Sequence, residues 1–210
     1  MSDLDRNTIL EAEFNYVAQM VFQNQEDRAN ATTFYLTAFG SFIVAIVSAS
    51  REVLDGDYIN LAFGGLFVVV GLIGVRTLMQ LVLLRKAWFD SVITMNRIKR
   101  YYIEKDGDLE TAFRWLTLPH GFKVMSVSFL MALQTAVLSS AAFGVAVVFF
   151  IRHANGDFAG SAVLLGVALI ATALLVVQLL YYKWSLSGIE RDNGGAKQPA
   201  VDSASRALEG

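Results

Sequence analysis

Four stretches of the chain contain no Asp, Glu, Lys or Arg, and they constrain the fold more than any other feature. They are residues 29–50, 58–75, 124–151 and 158–182, which are 22, 18, 28 and 25 residues long. A helix of about 20 predominantly apolar residues crosses the ~30 Å hydrocarbon core of a bilayer. The sequence therefore predicts an all-α polytopic membrane protein with four transmembrane helices, and it excludes an ordinary soluble enzyme.

Lysine and arginine are distributed unevenly around these stretches, and an excess of them marks the cytoplasmic side of a membrane protein. Residues 85–123 contain eight, the N-terminal segment two and the tail four, whereas residues 51–57 and 152–157 contain one each. We therefore expect both termini and the central connection to be cytoplasmic.

The central connection has the pattern of a helix rather than a loop. Apolar residues recur at spacings of three and four after Val75, and no Pro or Gly occurs before Asp106. The second span is therefore predicted to continue as one helix from about Tyr58 to Lys105, forming a cytoplasmic extension. A short helix should follow over Leu109–Thr117, with Asp108 as its N-cap.

The N-terminal segment is predicted to be an amphipathic helix with one apolar face. Residues 1–31 carry two basic and six acidic residues, whereas residues 85–123 carry eight basic and five acidic residues. These opposite charges favour packing of the N-terminal helix on the extension of the second span. The alternative is a helix on the membrane surface, where an excess of Lys and Arg is typical.

These patterns divide the chain into five segments. Residues 1–28 form the N-terminal amphipathic helix and residues 29–84 the first transmembrane hairpin. Residues 85–123 form the cytoplasmic helical connection and residues 124–184 the second hairpin. Residues 185–210 have low hydrophobicity and no periodicity, and they are expected to be a disordered cytoplasmic tail.

Arg76 is the one charged residue embedded in an otherwise apolar stretch, which makes it a functional candidate. Counting 19 residues from Asp57 at ~1.5 Å each places it near the cytoplasmic boundary, where a structural arginine is favoured. If Arg76 is instead buried among helices, its expected partners are Glu26 and Asp27. The glutamines Gln80, Gln134 and Gln178 are expected to form interhelical hydrogen bonds rather than to line a pore.

Small residues recur at four-residue spacing and are typical of helix–helix packing in membranes. The first span contributes Ser41 and Ala45, and the fourth contributes Ala162 and Gly166. The third span has Ala136, Ser140 and Gly144. The second span has the glycines Gly64, Gly65, Gly71 and Gly74. Because every span carries such small residues, a homo-oligomer is expected.

Few residues suggest chemistry. The chain has no cysteine and two histidines, without a second ligand at metal spacing, so neither a metal nor another cofactor is predicted. A membrane enzyme would require His120 and Arg114 to form a site with nearby acids. The cluster Arg97, Lys99 and Arg100 suggests anionic lipid as a partner at the cytoplasmic face, and no nucleic-acid partner is predicted.

Short motifs are spread through the helical part of the chain: residues 14–16 (FNY), 24–28 (NQEDR), 34–36 (FYL), 87–90 (AWFD) and 95–96 (MN). With these motifs the chain resembles bacterial four-span integral membrane proteins of uncharacterised function. The resemblance implies the bacterial cytoplasmic membrane as the location, and it implies no activity. Its layout is also similar to small membrane effectors of bacterial defence systems, whose helical cytoplasmic part adjoins a few spans.

The sequence thus favours a non-enzymatic integral membrane protein that forms oligomers and interacts with the lipid bilayer. Its expected role is that of a scaffold, a sensor-effector or a pore component. The alternative is a small solute transporter or ion channel with a pathway between its helices. The absence of acidic residues from the four charge-free stretches weighs against proton- or cation-coupled transport.

Overall fold

The computed structural model describes residues 6–48, 57–113, 126–155 and 160–195, and these residues are helical apart from short connections. The long helices are α1 (Arg6–Ser48), α2 (Asp57–Lys105), α4 (Val127–Asn155) and α5 (Ser161–Gly195), and α3 (Leu109–Ala112) is a single turn. All four long helices are long and apolar enough to cross a membrane. The predicted all-α class and the four apolar helices are therefore confirmed for the described residues.

Helix α1 is one helix of 43 residues, although the sequence predicted two segments that meet at residue 28. The composition changes there from polar to apolar, but no Pro or Gly occurs between Arg6 and Phe39. Because each added residue extends the hydrogen-bond ladder once a helix has formed, a change in polarity alone does not end it. Helix α2 has 49 residues, as the uninterrupted helical pattern predicts.

Two expectations about helix ends are wrong. Asp108 makes no side-chain cap, because its own backbone is helical (φ −67°, ψ −22°); Asp106 Oδ1 instead accepts the Asp108 N–H at 3.2 Å. Helix α5 continues to Gly195, so disorder is wrong for residues 185–195, where no Pro interrupts the helix. The rest of the expected tail, residues 196–210, lies outside the described residues, as do residues 114–125.

Helices α2 and α4 form the centre of the bundle, where glycines of α2 lie directly beneath aromatic rings of α4. A Cβ atom on Gly64 would lie 2.7 Å from the Phe150 ring, and one on Gly71 would lie 2.8 Å from the Phe143 ring. The order of these pairs shows that the two helices are antiparallel. Any larger residue at these two positions would overlap a ring, so only glycine lets these phenylalanine rings pack against the backbone of α2.

Helix α1 packs on α2, and α5 packs on α4 and on part of α2. Two buried apolar clusters result. One joins α2, α4 and α5 and consists of Leu78, Leu81, Val82, Ala132, Ala136, Tyr182 and Leu186. The other joins α1, α2 and α4 and consists of Tyr35, Phe67, Val70, Ala142 and Ala146.

The small-residue stripe of α4 lies inside this bundle. Ala136, Ser140 and Gly144 are buried, and a Cβ atom on Gly144 would lie 3.5 Å from the side chains of Val167 and Ala171. The neighbour of this stripe is therefore α5 of the same chain. The small residues of α1 and α5 are less covered. Ser41, Ala45 and Ala162 are exposed, and a Cβ atom on Gly166 would meet no described atom within 4 Å.

Candidate functional site

Arg28 is buried, with 6% of its surface exposed, at the point where the charge-free part of α1 begins. Its Nε donates to the backbone oxygen of Asn24 at 3.1 Å, and its Nη1 donates to Ser128 Oγ of α4. An arginine side chain stays protonated in proteins. The structure therefore holds a permanent positive charge between α1 and α4.

Arg85 of α2 is half-buried next to Arg28. Its guanidinium carbon lies 4.3 Å from the centre of the Trp88 ring and 4.8 Å from the centre of the Phe89 ring. A helix places residues three and four positions apart on one face, so these contacts follow from the local sequence. The two aromatic rings hold the guanidinium in place through cation–π interactions.

Both arginines line one cavity of about 390 Å³ between α1, α2 and the beginning of α4. This volume falls in the range of small-ligand pockets. The other polar lining residues are Gln25, Trp88, Ser126 and Ser128, and the apolar ones are Val127 and Met131. No lining side chain is a carboxylate.

The charges of Arg28 and Arg85 are not neutralised by the described part of the chain. Neither arginine forms an ion pair with a described residue, and the two positive charges lie within electrostatic range of each other. Residues 114–125, which precede α4 in sequence, contain Arg114 and Lys123 and no acidic residue. Burying unpaired charge costs several kcal/mol, so an anion in this cavity would lower the free energy of the folded protein.

The first turn of α4 also lies at the cavity. The Trp88 ring lines the cavity, but its Nε1–H is buried and is not accessible from it. Val127 and Ser128 belong to the first turn of α4, where a helix leaves its N–H groups unpaired by its own carbonyls and carries partial positive charge. Two guanidinium groups and a helix N-terminus together form a surface suited to binding an anion.

The structure does not bring Arg76 together with Glu26 and Asp27. Tyr35 lies against Gly74, whereas Gln25 and Arg28 line the cavity with Arg85, so α1 and α2 are antiparallel. This arrangement puts the acidic pair near the level of Arg85, nine residues or about 14 Å along α2 from Arg76. Arg76 and Glu26 are exposed and Asp27 is half-buried.

The three glutamines have different environments. Gln80 and Gln134 are exposed on α2 and α4. Gln178 of α5 is buried, and its Nε2 donates to Ser140 Oγ of α4 at 3.2 Å. Among the three, Gln178 thus makes the interhelical hydrogen bond expected from the sequence.

In the sequence, Arg28 and Arg85 are distinguished only as charges that orient the spans. Arg114 and His120, the residues required for an enzyme site, lie outside the described residues. Among the residues that the structure describes, no group of three His, Asp or Glu side chains is placed to hold a metal ion. The chain matches no protein-family model, no curated protein and no solved structure.

Proposed function

We propose that this chain is a non-enzymatic integral membrane protein of the sensor-effector type, and that its ligand is an anion bound between Arg28 and Arg85. The observation that carries the proposal is the shared cavity of two arginines without an acidic partner among the described residues. A bound anion would pair with both guanidinium groups and remove their mutual repulsion.

The cavity lies where ligand binding can act on the rest of the protein. Helix α2 continues for 20 residues beyond Arg85, which is about 30 Å, and this part is the proposed cytoplasmic extension. Residues 6–28 of α1 are the proposed amphipathic part beside it. Val17, Phe89 and Ile98 are buried, which supports packing of these two parts on each other. Because α1 and α2 pass the cavity unbroken, an anion that draws their arginines together would shift both extensions.

The orientation follows from the excess of basic residues in residues 85–123, which favours a cytoplasmic location of the cavity end of the bundle and of both termini. The proposed location is the bacterial cytoplasmic membrane. Assembly into a homo-oligomer is supported by the small residues that this chain leaves exposed on α1 and α5, namely Ser41, Ala45 and Ala162. Such an assembly would couple the extensions of several copies.

Transport or conduction is the second candidate, and no observation favours it over ligand sensing. Gln178 uses its amide to bind Ser140 inside the α4–α5 contact, and Gln134 is exposed on the outside of α4. Neither side chain therefore supports a polar pathway between the helices.

The proposal predicts that anions stabilise the protein through Arg85. We expect inorganic phosphate or an anionic phospholipid, added to protein in uncharged detergent, to raise the melting temperature more than chloride does at equal ionic strength. A ligand at about 100 times its Kd stabilises a folded protein by about 2.7 kcal/mol. Arg85→Gln should weaken binding about tenfold to hundredfold, because charge-assisted hydrogen bonds are lost.

Arg76→Gln is the matched control, because it removes an exposed arginine from the same helix. This variant should bind the anion as the wild type does. Equal loss of stabilisation in both variants would show that the anion acts by general electrostatic attraction to the protein, which would contradict the proposal. Stabilisation that survives Arg85→Gln intact would contradict it as well.

A further inference from the structure

The cations of the cavity lie at the ends of apolar helical segments. Arg28 directly precedes the charge-free residues 29–50, and Arg85 directly follows the apolar residues 81–84. Ser126 and Ser128 stand at the start of α4, most of which is apolar. Arg85 lies 28 residues, or about 42 Å, along α2 from Asp57, which matches the ~40–45 Å thickness of a bilayer with both headgroup regions. The cavity is therefore placed at the level of the cytoplasmic lipid headgroups.

One side of the cavity is apolar, and the described residues leave it open. Val127 lines the cavity, yet 69% of its surface is exposed, and Leu130, one turn further along α4, is 43% exposed. Met131 adds a second apolar wall. A site built only for a soluble anion gains nothing from an apolar opening, whereas a lipid needs one for its acyl chains.

We infer that the anion is the phosphate headgroup of a membrane lipid, which enters the cavity sideways from the bilayer while its acyl chains lie along Val127 and Leu130. This inference rests on the proposed function and specifies its ligand. A lipid headgroup and free phosphate would bind alike, because in both the phosphate oxygens bond to Arg28 and Arg85. The apolar opening distinguishes the lipid from the free ion.

The two arginines also discriminate between headgroups. A phosphate monoester has three free oxygens and a charge of about −1.5 to −2 near neutral pH, so it can accept paired hydrogen bonds from both guanidinium groups. A phosphodiester such as phosphatidylglycerol has two free oxygens and one negative charge. The ammonium group of phosphatidylcholine would be repelled by the two arginines. The expected order of affinity is phosphatidic acid, then phosphatidylglycerol, then phosphatidylcholine.

Binding of each lipid to the full-length protein can be measured by native mass spectrometry from uncharged detergent, with inorganic phosphate tested separately by its effect on thermal unfolding. We expect phosphatidic acid to bind at least about tenfold more tightly than phosphatidylcholine. Arg85→Gln should remove most of this preference, Arg85→Lys should restore part of it, and Arg76→Gln should leave it unchanged. Arg85 is chosen because Arg28 also connects α1 to α4 and its loss can disturb the fold.

The apolar opening is tested by Val127→Ser, which should weaken binding of phosphatidic acid about fivefold to tenfold and leave the effect of inorganic phosphate unchanged. Leu165→Ser, at an equally exposed apolar position on α5, is the control and should change neither. If inorganic phosphate acts through Arg85 while phosphatidic acid shows no preference, the lipid inference is overturned and the proposed function stands. If neither ligand depends on Arg85, both are overturned.

Discussion

Gly74→Ala will destabilise the protein by about 2–3 kcal/mol, although alanine is the better helix former. A Cβ atom at this position would lie 2.5 Å from Tyr35 Oη and 2.7 Å from Ser139 Cβ. Both neighbours are fully buried, so neither can move aside without disturbing α1 or α4. Overpacking of this kind typically costs 1–3 kcal/mol.

Gly65→Ala is the matched control on the same helix, because a Cβ atom there would meet no described atom within 4 Å. It should be neutral or stabilising by up to about 1 kcal/mol, through helix propensity alone. The free energies of unfolding can be compared in mixed micelles of uncharged and denaturing detergent. Equal effects of the two substitutions would show that α1, α2 and α4 do not meet at Gly74 as described.

Tyr35→Ala will have the larger effect, a loss of about 3–5 kcal/mol in the same unfolding measurement. Tyr35 has no exposed surface and fills the junction of α1, α2 and α4. Removing a buried aromatic ring leaves a cavity that the neighbouring helices only partly close. The anion site should weaken too, because this junction sets the register that places Arg28 beside Arg85.

Tyr35→Phe distinguishes the contribution of the ring to stability from that of the hydroxyl. The Tyr35 hydroxyl is buried and has no hydrogen-bond partner among the described residues. Replacing a buried unpaired polar group by an apolar one is nearly neutral or stabilising, so Tyr35→Phe should retain the wild-type stability. A loss as large as that of Tyr35→Ala would mean that the hydroxyl, not the packing of the ring, holds the junction together.

The helices were predictable because their signals are local. Charge-free stretches of sufficient length predicted four apolar helices, and the uninterrupted apolar periodicity after Val75 predicted the full length of α2. The sequence divides the N-terminal region at residue 28 because the composition changes there, but nothing breaks the backbone and α1 passes through as one helix. In the same way, the polarity of residues 185–195 suggested disorder, but α5 continues through them.

The candidate site was not predictable from the same signals. Arg28 and Arg85 are 57 positions apart, and each by itself is typical of the charged residue that ends a membrane span. The two arginines lie close together because of the register that Tyr35 and Gly74 impose on α1 and α2. Arg76 was a candidate because it is a charge in an otherwise apolar stretch, but its side chain is exposed in the structure. The one local signal of the site is Arg85 with Trp88 and Phe89 at helical spacing.

The most direct test of the anion site is a structure of the protein determined by electron cryo-microscopy in nanodiscs that contain phosphatidic acid. We expect density for a phosphate group between Arg28 and Arg85, with its oxygens about 2.7–2.9 Å from guanidinium nitrogens. Density for acyl chains should continue along Val127 and Leu130. An aspartate or glutamate of the chain itself that pairs with both arginines would contradict the proposed function. A cavity without density for the lipid would contradict the lipid inference.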